Sequence, residues 1–409
     1  MVKRLSLMAL LVVIVSACNS NIPISANTPE ASENNPAPTN TPVLLSTPIP
    51  TPSPLPPTHT AIPPSATPTA TATPLPQPYG PDNFPDNVNP LTGLQVSDES
   101  ILDRRPLAVK IQIYPRGQRP PWGVTKADIV YDYYQNGGLT RLIAVFYGQD
   151  AEQVGPIRSG RLFDANVVNM YKAIFAFGGA DRRILNRLYS SGFSDRIVVE
   201  GARNCPPMCR IEPNTFNYLV TNTEELGKFA EANGVKNERQ NLDGMRFDPQ
   251  TPQGGNPGTQ VYTRYSISAY NRWDYNPATR RYLRFQDNQE DNGQGEVYVP
   301  LVDRLDDQQV AADNVVILFA QHQDIVRSAN AEIIEITLIG SGSAYAFRDG
   351  KVYQVKWSRA DQDSLVKLTL ADGSEYAFKP GTTWYQVVGQ SSKIDTSQPG
   401  ILRFTSSIP

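Results

Sequence analysis

The residues best suited to chemistry form a short turn that carries two arginines. Residues 155–161 have the sequence Gly-Pro-Ile-Arg-Ser-Gly-Arg, and an amphipathic helix is predicted to follow directly. Arginine presents a planar fork of donors that matches the oxygens of phosphates and carboxylates. At the start of a helix, free N–H groups and a positive macrodipole also favour an anion. The pattern therefore predicts an anion-binding site at Arg158, Ser159 and Arg161, with Arg141 as a further candidate.

Internal carboxylates offer the alternative explanation for these arginines. Asp164 lies three residues after Arg161, and Asp128 or Asp132 would be available to Arg158. Pairs of this kind would make the turn structural rather than functional. The sequence alone leaves both interpretations open.

The cysteines and histidines exclude most metal chemistry. After Cys18, the cysteines of the chain are Cys205 and Cys209, separated by Pro-Pro-Met, and the histidines are His59 and His322. Two thiols cannot complete a structural zinc site, which needs four ligands. We expect a local disulfide, because a redox catalyst would use C-x-x-C at the start of a helix. We therefore expect no metal site.

The composition excludes further function classes. The net charge is −3 and charges of both signs are interleaved, so no polybasic surface predicts nucleic-acid binding. The chain also lacks the phosphate-loop, G-x-S-x-G, H-E-x-x-H and EF-hand signatures. We expect no cofactor.

The N-terminus has the pattern of a lipoprotein signal. Lys3 and Arg4 precede an apolar stretch at residues 5–15, and Val-Ser-Ala leads into Cys18. The stretch has about 11 residues, whereas a membrane-spanning helix needs roughly 20. We therefore expect residues 1–17 to be removed and Cys18 to carry a lipid that anchors the protein on the extracytoplasmic face of the membrane.

Residues 18–84 are predicted to be a disordered tether. The segment is rich in Pro, Thr, Ser and Ala, and 18 of the 36 prolines fall between Pro23 and Pro81. Proline removes backbone donors and fixes φ, so the segment cannot form a sheet or a long helix. A ligand for a proline-recognising domain is the alternative interpretation of this composition.

Residues 85–247 are predicted to form an α/β domain with a mixed sheet. Residues 107–113 alternate apolar and polar side chains like a half-buried strand, and residues 128–134 and 140–147 flank a Gly-Gly turn like a hairpin. Apolar spacing predicts helices after residue 161, around residues 184–188, and over residues 223–232.

Residues 248–258 are rich in Pro, Gly and Gln and are predicted to be a linker between two domains. The following residues 259–409 are predicted to be mostly β. Asp349-Gly350 and Asp372-Gly373 each lie between alternating segments, which is a strong signal for a hairpin.

Ten short segments in this order resemble the YerB-type lipoproteins, which have two linked domains of unknown function. The segments are NPLTGL at 89–94, RRPLAV at 104–109, KADIVY at 126–131, GLTR at 138–141, GPIRSGR at 155–161, GG at 178–179, WDY at 273–275, YLRF at 282–285, DGK at 349–351 and PGTTW at 380–384. The resemblance covers residues 89–388. It implies a two-domain envelope lipoprotein and no established activity.

A second resemblance concerns the order of elements around the arginine turn, which is similar to that of the LytR/Psr-type envelope phosphotransferases. That similarity implies roles for Arg141, Arg158, Arg161 and Asp164 in holding and transferring a lipid-linked pyrophosphate. Fold-level likeness does not by itself confer an activity. We therefore favour a non-catalytic, lipid-anchored protein that binds an anionic cell-wall or lipid-linked component or an envelope protein, with the glycopolymer phosphotransferase as the alternative.

Overall fold

The computed structural model describes residues 77–212, 218–329 and 331–408 of the 409-residue chain. The predicted signal peptide, Cys18 and residues 18–76 of the predicted tether lie outside these ranges. Within the described ranges, no helix is both long enough and apolar enough to cross a membrane.

The first region contains both strands and helices, which confirms the predicted α/β class with a mixed sheet. Its strands are β1 (Val88–Asn89), β2 (Leu94–Gln95), β3 (Leu107–Gln112), β4 (Ile129–Asn136), β5 (Leu139–Phe146), β6 (Ile174–Phe177), β7 (Ile197–Val199), β8 (Met208–Arg210) and β9 (Leu219–Thr221). Its α-helices are α1 (Asp164–Met170), α2 (Arg182–Tyr189) and α3 (Thr223–Ala232), and 3₁₀ turns lie at Glu99–Leu102, Arg116–Gln118, Val124–Lys126, Ser194–Arg196 and Ala202–Asn204.

Local sequence signals account for several of these elements. Gly137 and Gly138 both have positive φ, +59° and +75°, as a tight turn between β4 and β5 requires. The side chain of Asn222 accepts the backbone N–H of Glu225 and caps α3.

Strand β3 is more buried than its alternating pattern predicts. All six of its residues are buried, including Lys110 and Gln112. The strand lies between the antiparallel β5 and the parallel β6. Asp164 of helix α1 contacts Lys110 from one face, so the polar side chains of β3 are enclosed rather than solvated.

The second region is mostly β, as predicted. Its strands are β10 (Asn256–Arg264), β11 (Tyr270–Asn276), β12 (Arg281–Asp287), β13 (Tyr298–Pro300), β14 (Ala311–Ala312), β15 (Asn314–Ser328), β16 (Ala331–Thr337), β17 (Gly340–Arg348), β18 (Lys351–Arg359), β19 (Lys367–Thr369), β20 (Thr383–Gly389), β21 (Lys393–Asp395) and β22 (Gly400–Thr405). Asp349 and Gly350, with φ of +53° and +74°, close the hairpin of β17 and β18. The second Asp-Gly turn is closed by a single bridge between Thr369 and Glu375.

One mixed sheet runs through both regions. Its strand order is β7-β6-β3-β5-β4-β20-β15-β17-β18-β19. The joining contact is the parallel pair of β20 with β4, in which Trp384 lies opposite Val130. A second sheet, β13-β12-β11-β10-β22-β21, belongs to the second region. The predicted linker at 248–258 therefore separates the two regions along the sequence, but strands from both regions belong to the same sheet.

This shared sheet leads to a prediction about proteolysis. A cut within residues 248–258 should leave the two regions associated, because β4 and β20 stay paired. The segment is itself tied to β17 and β18: Arg348 Nη1 donates to the Asp248 carbonyl at 2.9 Å, and the Tyr353 hydroxyl donates to the Pro252 carbonyl at 2.7 Å. Size-exclusion chromatography of the nicked protein checks this, and two separately eluting fragments would contradict it.

Candidate functional site

The candidate site lies where three parallel strands end. Strands β3, β6 and β7 run parallel in adjacent positions, so their carboxyl ends meet at one edge of the sheet. In open α/β sheets, ligands bind in the crevice outside this edge. Residues 155–161, the predicted anion-binding turn, cross this edge between β5 and α1.

Backbone hydrogen bonds hold the turn in place. The N–H of Arg158 donates to the Lys110 carbonyl at 3.0 Å, and the Arg158 carbonyl accepts the N–H of Gly178 at 2.9 Å. Gly160 is needed for close packing, because a Cβ there would lie 3.1 Å from the Phe177 ring and 3.2 Å from Leu188. The glycines of the turn therefore let its backbone lie directly on the strand ends.

Two guanidinium groups converge on one carbonyl oxygen at this turn. Arg141 Nη1 donates to the Ser159 carbonyl at 2.8 Å, and Arg161 Nη1 lies 3.4 Å from the same oxygen. Arg161 Nη2 also donates to Gln135 Oε1 at 2.7 Å. Within the described ranges, no carboxylate lies within 4.0 Å of either guanidinium group; their acceptors are carbonyl and amide oxygens. The two positive charges therefore lack a counter-charge in direct contact.

Arg158 adds a third guanidinium group to the site. Its Nε donates to Oε1 of Gln112, whose side chain is buried with 3% exposure. The other end of that amide, Gln112 Nε2, has no hydrogen-bond partner among the described residues. A buried donor without an acceptor is costly, and a ligand oxygen would satisfy it. We call Arg141, Arg158 and Arg161 the arginine cluster.

Strand register explains why Arg141 belongs to the cluster. Arg141 lies directly opposite Gln112 of β3 on one side and opposite Tyr133 of β4 on the other. Residues paired in this way share one face of the sheet. The predicted site residues Arg141, Arg158, Ser159 and Arg161 are thus brought together by the fold.

Burial lowers the pKa of all three arginines, and a neighbouring positive charge adds to this effect at Arg141 and Arg158. Burial, followed by the positive charge of Arg161, lowers the pKa of Arg141 to about 9. Burial also lowers the pKa of Arg161, and burial and the nearby Arg210 lower the pKa of Arg158. The arginines remain charged at neutral pH, and a bound anion would offset their repulsion.

A fully buried polar group lies directly beneath the cluster. Lys110 Nζ contacts Asp164 Oδ1 at 3.1 Å and donates to the Tyr133 hydroxyl, and both charged side chains have 0% exposure. The Tyr133 hydroxyl donates to Asp164 Oδ1 at 2.5 Å. The second oxygen, Asp164 Oδ2, accepts the backbone N–H of Arg161 at 2.6 Å. This group therefore connects the core of the sheet to the arginine turn.

The structure corrects the expected internal pairs of the turn. Asp164 accepts the backbone N–H of Arg161 rather than its guanidinium group. Asp128 accepts from Asn89 Nδ2 and from backbone N–H groups, and Asp132 pairs with Arg284. The proposed pairing of Arg158 with Asp128 or Asp132 is therefore wrong.

The predicted helix start also differs from the structure. Helix α1 has seven residues and begins at Asp164, three residues after Arg161. The Asp164 carboxylate already accepts an N–H at this end of the helix. The anion-binding character of the turn therefore comes from its side chains and not from the helix terminus.

The predicted site did not include Lys110, Tyr133 or Gln112. Each is a polar side chain within a strand that the structure buries on both faces. A polar residue in such a strand needs an internal partner. This requirement could have identified the three residues from the sequence, but only if their strands had been known to be central in the sheet.

The disulfide loop borders the cluster. Cys205 and Cys209 form a disulfide in the structure. The following residue, Arg210, pairs at 2.6 Å with Glu200, which comes directly after β7. Within the described ranges, no group of three or more His, Cys, Asp or Glu side chains is arranged to hold a metal ion.

Two family models match the chain, one for each region. Residues 91–236 match the N-terminal domain of "Protein of unknown function (DUF3048)", and residues 261–385 match the C-terminal domain of the same family. The gap between the two matches contains the predicted linker.

A relative and a solved structure agree with these matches. The protein named "Putative lipoprotein YerB" of Bacillus subtilis (strain 168) is 27% identical over 322 residues, covering 75% of this chain and 89% of that protein. The crystal structure of YerB protein from Bacillus subtilis superposes with a TM-score of 0.62 at 26% identity, over 74% of this chain and 96% of that chain. The resemblance inferred from ten short segments is confirmed: the chain belongs to the YerB-type lipoprotein family, with an N-terminal and a C-terminal DUF3048 domain.

Proposed function

We propose that this protein is a lipid-anchored lipoprotein on the extracytoplasmic face of the membrane, where its arginine cluster binds an anionic group of a cell-wall or lipid-linked component. The observation that carries the proposal is the convergence of Arg141 and Arg161 on the Ser159 carbonyl with no carboxylate within 4.0 Å among the described residues. Two uncompensated guanidinium groups in a partly buried site repel each other. A bound oxyanion converts that repulsion into attraction.

The chemistry of the cluster favours an oxyanion with several oxygens. Guanidinium groups bind phosphate and carboxylate oxygens in a bidentate manner, and each such bond is stronger than a neutral one. Gln112 Nε2, which has no hydrogen-bond partner among the described residues, supplies a further donor beside Arg158. Phosphate-bearing and carboxylate-bearing envelope polymers both fit this set of donors.

The predicted location of the protein supports the same proposal. The signal pattern ending at Cys18 and the Pro/Thr-rich tether would place the folded region outside the membrane, within reach of such polymers. The Bacillus subtilis relative is also named as a lipoprotein.

The geometry of Asp164 favours binding over the alternative phosphotransferase function. A catalytic carboxylate must contact the substrate. Asp164 has 0% exposure, and its two oxygens are held by Lys110, Tyr133 and the backbone of Arg161. Asp164 is therefore a residue that positions the turn.

Anion binding should be visible as thermal stabilisation. Sulfate or inorganic phosphate at 100 times its Kd should stabilise the protein by about 2.7 kcal/mol. Arg141→Ala and Arg161→Ala should remove most of this stabilisation, and Arg161→Lys should weaken it, because lysine cannot form the bidentate fork. Thermal unfolding at increasing anion concentration measures the effect.

Arg187→Ala provides the matched control for these variants. Arg187 lies nearby in sequence, is exposed, and already pairs with Glu335 at 2.8 Å. Its loss should leave the anion response unchanged. The proposal fails if the parent protein shows no anion-dependent shift, or if Arg187→Ala reduces the shift as much as the cluster variants do.

A further inference from the structure

Among the described residues, Lys110 is a buried cation with one carboxylate in contact and two guanidinium groups nearby. Its side chain has 0% exposure in the middle of β3. Asp164 of α1 is the carboxylate in contact with it, at 3.1 Å, and Tyr133 of β4 shares the same oxygen. Arg141 of β5 and Arg161 of the turn also act on Lys110, and both are positive.

These surroundings make the protonated form of Lys110 unusually costly. Burial removes the hydration of the ammonium group, and two neighbouring guanidinium groups repel it. Asp164 offsets only part of this cost. Burial is the largest cause and lowers the pKa of Lys110 to about 7, so the side chain titrates in the neutral range.

Lys110 is joined to the arginine cluster by direct contacts. Its backbone carbonyl accepts the N–H of Arg158 at 3.0 Å. Its ammonium group binds Asp164, whose other oxygen accepts the N–H of Arg161 at 2.6 Å. A change in the charge of Lys110 therefore changes the electrostatic potential at both Arg158 and Arg161.

We propose that Lys110 makes the arginine cluster a proton-linked anion site, which binds its anion tightly when Lys110 is protonated and weakly when Lys110 is neutral. The inference rests on the proposed function, since it requires an anion at the cluster. With Lys110 protonated, the group of Lys110, Arg141, Arg158, Arg161 and Asp164 carries a net charge of about +3, and with Lys110 neutral it carries about +2.

The sign of the effect follows from the charges. When Lys110 loses its proton, the Asp164 carboxylate is no longer neutralised and opposes an incoming anion. Anion affinity should therefore fall as the pH rises through neutrality. By reciprocity, a bound anion raises the pKa of Lys110, so binding near neutral pH should take up protons from the buffer.

Titration calorimetry with sulfate tests the proposal. Sulfate keeps its charge throughout the neutral range, so any proton taken up on binding enters the protein. We expect affinity roughly tenfold lower at about pH 8.5 than at about pH 6, the change that a coupling of about 1.4 kcal/mol produces. Repeating the titration near pH 7.5 in buffers of different ionisation enthalpy should show net proton uptake.

Lys110→Met removes the titrating group while keeping the length of the side chain. The variant leaves the Tyr133 hydroxyl and the Arg161 N–H on Asp164, so the carboxylate keeps two donors. We expect its sulfate affinity to be low and the same at both pH values, with no proton uptake. A merely structural role of Lys110 would instead weaken binding and leave the pH dependence in place. If the variant does not fold, the proton uptake of the parent protein decides the matter.

The outcomes separate this inference from the proposed function. Sulfate binding with equal affinity at both pH values and no proton uptake overturns the role of Lys110 and leaves the anion site standing. The same holds if Lys110→Met keeps the pH dependence of the parent protein. An absence of sulfate binding at either pH overturns the proposed function, and the role of Lys110 with it.

Discussion

Replacing Asp132 with alanine is expected to lower the free energy of unfolding by about 3–5 kcal/mol. Asp132 Oδ2 accepts from Arg284 Nη2 at 2.6 Å, and both side chains have 0% exposure. The substitution would leave the Arg284 guanidinium group buried without its counter-charge. Removing one partner of a buried pair costs far more than the pair itself contributes.

The surroundings of Arg284 leave it no route to solvent. Its guanidinium group lies over the ring of Trp384, 4.6 Å from the centroid, and 5.2 Å from that of Trp273. Arg284 also donates to Gln286 Oε1 at 2.8 Å. Neither the aromatic rings nor this amide replaces a carboxylate charge, so the penalty should be close to the upper part of the range.

The pair also connects the two regions of the chain. Asp132 lies in β4 of the first region, and Arg284 lies in β12 of the second. Asp132→Ala should therefore shift a single unfolding transition that both regions share. Urea denaturation followed by tryptophan fluorescence and by far-UV circular dichroism would report one coincident midpoint, displaced to lower urea.

An exposed ion pair supplies the control for Asp132→Ala. Arg187 and Glu335 also join the two regions, with a 2.8 Å contact, but their side chains are 58% and 36% exposed. Glu335→Ala should change the stability by less than about 1 kcal/mol. If Asp132→Ala lowers the free energy of unfolding no more than Glu335→Ala does, the buried pair does not hold the two regions together.

Local elements of this fold follow from the sequence, because each is determined by neighbours along the chain. The Gly137-Gly138 turn, the Asn222 cap and the Asp349-Gly350 hairpin all satisfy short-range requirements for φ or for a capping acceptor. Strand β15 extends to Ser328, beyond its apolar core, because β16 pairs with its polar end.

The shared sheet could not be predicted in the same way. The parallel pairing of β4 with β20 joins residues about 250 positions apart, and such contacts leave no local periodicity. The segment at 248–258 has the composition of a linker, yet Asn256 and Pro257 already pair with β18. The composition of a segment indicates how flexible that segment is by itself. It does not indicate which distant strands will pair with the segment in the folded protein.

Only part of the candidate site was predicted, because some of its residues are brought together by pairing between strands. Arg158 and Arg161 lie in one short turn, so their proximity is visible in the sequence. Arg141 joins them through its register opposite Gln112 and Tyr133. The alternative pairing of Arg161 with Asp164 was suggested by their closeness in sequence, whereas the fold pairs Asp164 with Lys110.

Cys18→Ser is expected to release the protein from membranes completely. The lipobox pattern makes the Cys18 thiol the predicted site of lipid attachment, and a serine hydroxyl does not replace it. Each buried CH₂ of an acyl chain contributes about 0.8 kcal/mol to membrane binding. The lipid on Cys18 is therefore the anchor that we expect to hold the folded region at the membrane.

Membrane fractionation with acyl labelling measures this effect. The parent protein should sediment with membranes and carry the label, whereas Cys18→Ser should be soluble and unlabelled. The double variant of Cys205→Ser with Cys209→Ser is the matched control, because it removes the other two thiols of the chain and keeps Cys18. It should stay labelled and membrane-bound. A Cys18→Ser protein that still sediments with membranes would mean that a contact other than the lipid anchors it, and the extracytoplasmic tether proposed here would lose its attachment point.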